Sequence, residues 1–220
     1  PPENCEPPEP PEIDFTVRTL SGSTLSDQDS AQESWKALTD DVFTAAEAER
    51  INALIREVPD WPKPGVVFKD ITPLLSDAEG FTMAVDELTK LAPQPIDIVV
   101  GMEARGFIFA APVALNLGAG FVPVRKPGKL PYTTIDQSFA LEYGQATLAM
   151  HTDALWPGAR VLVVDDILAT GGTVGATASL IKRMGAELVH VVVPIELEFL
   201  GGRDRLAAEG IDSVSALITC

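Results

Sequence analysis

Four apolar residues, Val161-Leu162-Val163-Val164, run without polar interruption into two adjacent acids, Asp165-Asp166, and a short loop then closes on Gly171-Gly172-Thr173. A β-branched run that does not alternate with polar residues suits a strand covered on both faces, as in a parallel sheet. Beyond the loop, Val174, Ala178 and Ile181 recur at helical spacing, and Gly185 follows the basic Lys182-Arg183 as a helix stop. This order of elements confines the chain to architectures in which helices pack back onto a buried sheet.

The rest of the sequence repeats the alternation. Ala48, Ile51, Leu54, Ile55 and Val58 line one helical face, which Pro59, Pro62 and Pro64 bring to an end. A second helix is expected over 80–92, then a strand over 96–100, a helix over 107–117, a strand over 121–124 and, after the Val161 unit, a strand over 188–195. The pattern predicts an α/β fold: an open, mostly parallel twisted sheet with helices on both faces, spanning residues 42–220. Residues 1–41 form an acidic, Pro/Ser-rich segment that cannot bury enough surface to offset chain entropy. A flexible, disordered tail is expected there, although Ile13, Phe15, Val17 and Leu20 alternate as a short strand would.

The turn after Val164 carries readable chemistry. Gly171 and Gly172 lack a Cβ, so backbone N–H groups can converge on an anion. Thr170 and Thr173 add hydroxyls, Ala169 leads into the loop, and the helix beginning near Thr173 offers unpaired N–H groups and a positive dipole end. Asp165 and Asp166 would repel a phosphate, but carboxylates accept hydrogen bonds from the paired hydroxyls of a ribose. Together these residues describe a ribose 5-phosphate site. An ordinary strand-turn-helix with a solvated acidic turn is the plainer alternative. No Walker lysine follows the glycines, which argues against a nucleoside-triphosphatase loop. Gly118-Ala119-Gly120 lacks the third glycine of a dinucleotide fingerprint and reads as a helix stop and turn.

Bulk properties remove other classes. A formal net charge of −16 disfavours nucleic acid and anionic membranes as partners. Cys5 and Cys220 stand at opposite ends, supplying neither a disulfide framework nor a metal cluster, so a cytoplasmic location is expected. The greasiest run, 106–115, is too short for a membrane span and contains Pro112, and no secretory signal is expected at the start of the chain. His190 interrupts an apolar strand as a structural histidine would, and no Ser or Cys nucleophile with a partnered His can be assembled.

Two further loops follow strands. In Glu103-Ala104-Arg105-Gly106, the planar fork of Arg105 can hold two phosphate oxygens. Arg125-Lys126-Pro127-Gly128-Lys129 concentrates three cations on one turn of an acidic protein, a patch that would collect a polyanion. Taken alone, Val66 to Phe68 reads as a short core strand, and Glu142 as a surface glutamate.

The Val161–Thr173 segment resembles the phosphoribosyl pyrophosphate signature of the type I phosphoribosyltransferases. GMEARGFIFAAPVAL (101–115), VPVRKPGKLP (122–131), LEYG (141–144) and PKPGVVFKDITPLL (62–75) resemble the adenine branch of that family in the same order, over roughly 44–219. The resemblance implies transfer of a phosphoribosyl group from phosphoribosyl pyrophosphate to adenine, giving AMP and pyrophosphate. It implies a homodimer, and Mg²⁺ bound through substrate pyrophosphate and ribose oxygens rather than by a protein cluster. Residue by residue, it assigns Glu103, Ala104, Arg105, Arg125, Lys126 and Lys129 to pyrophosphate. Asp165, Asp166 and Ala169 to Thr173 go to ribose 5-phosphate, and Val67, Phe68, Lys69 and Ile167 to adenine, through backbone groups of Val67 and Lys69 and stacking by Phe68 and Ile167. Glu142 becomes the proton-handling residue, beside Arg105 in catalysis, at the end of a segment (130–143) that acts as a mobile hood. Phe139 stands where the family usually has Tyr, which removes a hydroxyl. A transferase for another base or for orotate, and a non-catalytic ligand-sensing relative, are the alternatives.

Overall fold

The apolar runs do become a parallel sheet. The computed structural model describes residues 43–140 and 144–220; the expected tail and Glu142 lie outside the described residues. In chain order come α1 (Ala45–Ala53), β1 (Arg56–Pro59), β2 (Val67–Asp70), α2 (Thr72–Ser76), α3 (Ala78–Lys90), β3 (Ile98–Met102), α4 (Gly106–Leu117) and β4 (Gly120–Val124). There follow β5 (Thr134–Ala140), β6 (Gln145–His151), β7 (Arg160–Val164), β8 (Ile167–Leu168), α5 (Gly172–Arg183), β9 (Glu187–Glu196), α6 (Gly202–Ala208) and β10 (Val214–Thr219).

The main sheet runs β10-β9-β7-β3-β4, with β8 beside β9, and every pairing is parallel. Alternate side chains feed two apolar layers. Leu162 and Val164 pack on one face with Phe109, Val113 and Leu88. Val161 and Val163 pack on the other with Val174, Leu180 and Ile181. So α3 and α4 cover one face while α5 and the β5–β6 hairpin cover the other. From β3 the chain steps outward to β4 and then returns to β7 on the opposite side of β3. Loops after β3 and β7 therefore diverge toward helices on opposite faces, which opens a crevice at that switch point.

Several expectations shift. The first helix ends at Ala53, and Val58 lies on β1, paired with Phe68, rather than on a helical face. The physical reason is the antiparallel β1–β2 hairpin, whose connection carries Asp60 at φ 59 and the prolines that end the strand. β2 is accordingly no core strand: Val67 is half exposed. Residues 134–140, inside the segment read as a hood, pair antiparallel with 145–151 across seven registered positions. Helix stops fall as expected, with Gly118 and Gly185 both left-handed.

Candidate active site

Three loops leave the carboxyl edge of the sheet side by side. The parallel register sets Gly101 against Val164 and Met102 against Val124, so Glu103, Arg125 and Asp165 begin their loops at one level. A backbone bond from Glu103 N to Val124 O, at 2.9 Å, carries the pairing one residue further. A cleft of about 240 Å³ sits between the loops after β3 and β7, lined by Glu103 to Arg105 and by the continuous stretch Asp165 to Val174.

The floor of the cleft is the start of α5. Gly171, left-handed at φ 74, caps the helix without any side-chain hydrogen bond, and the first helical bond runs from Gly175 N to Gly171 O. The N–H groups of the first turn are therefore available to an anion, with the helix dipole behind them. Two contacts explain the glycines sterically. A Cβ on Gly171 would stand 2.7 Å from Gly202 O, and one on Gly202 would collide with Ala169 O. The loop is thus pressed against the start of α6, a support that sequence reasoning missed; the Gly201-Gly202 doublet was its only signal.

Asp165 and Asp166 form one wall, and both are buried. Burial pushes the Asp165 carboxyl well above the usual carboxylate range, and the neighbouring Asp166 charge adds to the push. Burial also raises Asp166, while the Arg105 guanidinium pulls it back down. Asp165 Oδ1 accepts the Asp166 N–H at 2.9 Å, and it lies 2.6 Å from where a Cβ on Gly106 would stand. The first residue of α4 therefore has to be small, and the two loops are locked together.

Arg105 joins the subsites. Its Nη2 lies 2.8 Å from Asp166 Oδ2, and its Cζ lies 5.0 Å from the centroid of the Phe68 ring, within cation–π range. Phe68 meets Trp61 on its own hairpin connection, edge to face, at 4.3 Å between centroids. Trp61 went unnoticed in the sequence because only the folded hairpin brings it to Phe68. Lys69 Nζ turns to Glu57 at 2.5 Å, and Ile167 lines the cleft half-buried beside Asp166.

Glu103 stands in the loop assigned to pyrophosphate, and its carboxylate accepts Lys129 Nζ at 2.6 Å and the Lys126 N–H at 3.1 Å. Arg125 lies alongside it, with Nη2 at 3.4 Å. Those bonds, Lys129 first, hold its carboxyl down at about 2. An ionised carboxylate accepts hydrogen bonds and pairs with cations, which is the part Glu103 plays here. His190 is a structural histidine as read, with Nε2 2.9 Å from Ser215 Oγ on the neighbouring strand.

The structure thus gathers the residues read as a sugar-phosphate cradle, Arg105 and the three cations at one sheet edge, with Phe68 against Arg105. Among the described residues no group of three His, Cys, Asp or Glu could hold a metal ion, and no helix is long and apolar enough to cross a membrane.

A family model for the phosphoribosyl transferase domain matches residues 75–211. An adenine phosphoribosyltransferase of Cutibacterium acnes is 62% identical over 169 residues, covering 77% of this chain and 96% of the relative. The crystal structure of adenine phosphoribosyltransferase from Rhodothermus marinus superposes with a TM-score of 0.76 at 48% identity, covering 80% of this chain and all of that one. The Saccharomyces cerevisiae enzyme, solved with an imino-altritol bisphosphate and adenine, superposes with a TM-score of 0.73 at 34% identity, covering 80% and 100%.

Proposed function

The chain belongs to the adenine phosphoribosyltransferases, and from that premise we infer both its reaction and the part each residue plays in it. The enzyme transfers the 5-phosphoribosyl group of phosphoribosyl pyrophosphate to adenine, forming AMP and pyrophosphate in purine salvage. The observation that carries the residue assignments is the Arg105 bridge, which links the buried Asp166 to the Phe68 ring.

In this reading the α5 start and Thr170 to Thr173 hold the 5′-phosphate, and Asp165 and Asp166 accept the ribose hydroxyls. Adenine stacks between Phe68 and Ile167, with its edge on backbone groups of Val67 and Lys69. A purine nitrogen attacks C1′ as the bond to pyrophosphate breaks. Arg105, Arg125, Lys126 and Lys129 stabilise the charge that builds on the departing oxygen. Glu142 accepts or orients the proton lost by the purine. Mg²⁺ would arrive with the substrate rather than on a protein cluster, and would supply charge neutralisation for the leaving pyrophosphate. The chain's own work is positioning and electrostatics, which supply most of the acceleration in such displacements.

A homodimer belongs to the same reading. Ile108, Leu115 and Phe121 are large apolar side chains exposed on α4 and β4, and a second copy would cover them. Light scattering tests it. Initial rates with adenine, guanine, hypoxanthine and orotate test the function: adenine should turn over at least ~100-fold faster than the others. Negligible AMP formation would sink the reading.

A further inference from the structure

We propose that Glu103 is a positioning residue: its carboxylate pins the basic turn 125–129 over the pyrophosphate loop, so that the cations stand ready before substrate arrives. The proposal rests on the function stated above and adds a role to that same site.

A carboxylate beside a polyanion site is a liability unless something is gained from it. Glu103 immediately precedes Ala104 and Arg105 in the cleft wall, and its side chain is only 10% exposed. Oε1 takes Lys129 Nζ at 2.6 Å and lies 3.4 Å from Arg125 Nη2. Oε2 takes the Lys126 N–H at 3.1 Å and lies 3.4 Å from Arg125 Nε. The turn closes on itself as well, with Arg125 Nη1 donating to Lys129 O at 2.9 Å. Every non-Pro, non-Gly residue of the turn is therefore tied to one acid, across 22 to 26 residues of sequence.

The turn needs such a tie. It pivots on Pro127 and a left-handed Gly128 at φ 78, and a Lys or Arg side chain costs ~2 kcal/mol of rotamer freedom to fix. Meeting that cost in the free enzyme lowers what binding must supply. The charge balance survives, because Arg125, Lys126 and Lys129 outnumber the single Glu103. Lys129 keeps two further donors, and its side chain remains half exposed toward a ligand.

E103Q tests this, because it keeps the shape and an acceptor for the Lys126 N–H but removes the charge that holds the cations. KM for phosphoribosyl pyrophosphate and Kd for Mg²⁺-pyrophosphate should each rise about tenfold. KM for adenine and the thermal midpoint should stay put, and Glu103→Asp should recover most of the loss. Tighter pyrophosphate binding in E103Q would overturn the proposal, since the acid would then be a competitor. So would an unchanged pyrophosphate Kd, or equal losses for both substrates with a lower melting point, the mark of a merely structural residue. If E103Q does not fold, E103D carries the same test at about threefold. Calorimetric pyrophosphate binding stands apart from turnover: a wild-type protein that makes no AMP defeats the function, not the clamp.

Discussion

Arg105 Nη2 sits 2.8 Å from Asp166 Oδ2, in an ion pair that occupies both the group assigned to pyrophosphate and one assigned to the ribose. The two meet because β3 and β7 are neighbours at the switch point, so that the turn after each strand faces the other. Under the proposed assignments, substrate takes its place within this pair. The pair also spares the free enzyme an unpaired buried carboxylate.

Arg105→Ala should lower kcat/KM for phosphoribosyl pyrophosphate by about 10²–10³, the loss of one charge-assisted fork. It should also alter the pH profile. Arg105 pulls the Asp166 carboxyl down against the effect of burial, so removing it lets that carboxyl rise. The acid limb of the kcat/KM profile should then move to higher pH. Arg105→Lys keeps the charge but not the fork, and should restore the limb's position while remaining about tenfold slow. An unmoved acid limb in the alanine variant would separate Arg105 from Asp166 functionally.

Asp165 should be a site where stability is given up for binding. Its folded carboxyl lies well above the usual range because it is buried, so the folded state holds a proton that the unfolded state releases. The stability from that proton is fully present below the unfolded carboxyl range, near pH 4, and is lost as pH rises through the folded pKa. Asp165→Asn removes this loss and keeps an oxygen for the Asp166 N–H. The variant should be about 1 kcal/mol more stable than wild type at pH 7–8, or ~3 °C in Tm. The gap should close as pH falls toward 4, while affinity for phosphoribosyl pyrophosphate drops. Calorimetric scans across pH check the sign; a destabilised variant at pH 8 contradicts the burial argument.

How far the sequence could be read depended on how local each determinant was. The uninterrupted run Val161 to Val164 announced a buried strand, and the Gly-Gly-Thr after it announced a helix start whose first N–H groups lie open, because both signals lie within consecutive residues. The ties of Glu103 were not legible, because its partners Arg125 and Lys129 lie a whole helix and strand away in sequence. The β5–β6 hairpin escaped notice because Asp136, Gln137 and Ser138 dilute the apolar alternation on a strand that leaves one face to solvent. Trp61 and Gly202 touch the site from other elements, and spacing cannot show that.

Gly202→Ala should be costly although it lies outside the phosphate loop. The added methyl would collide with Ala169 O, and backbone cannot swing aside as a flexible side chain can. About 2 kcal/mol of stability should go, together with a raised KM for phosphoribosyl pyrophosphate as the cradle shifts. Gly201→Ala is a useful contrast, since its Cβ meets nothing within 4 Å. Its left-handed φ of 64 should cost about 1 kcal/mol through strain alone, with KM unchanged. Urea unfolding alongside initial rates separates the two. Equal effects on KM would mean that α6 does not shape the cradle.

Phe139 ties the hairpin to the phosphate loop. Its Cδ2 lies 3.0 Å from where a Cβ on Gly172 would stand, and Arg183 on α5 anchors the same strand by donating to Asp136 O at 2.7 Å. The hairpin is therefore seated on Gly172, the first residue of α5. Gly172→Ala should push the ring away and raise KM for phosphoribosyl pyrophosphate about fivefold, while Phe139→Ala loosens the seat and has a smaller effect. In the double variant the methyl has no ring to meet, so the penalties should fall short of their sum by about 1 kcal/mol. A double-mutant cycle on kcat/KM measures this directly. Strict additivity would break the link, leaving movement of the hairpin independent of whether the cradle is filled.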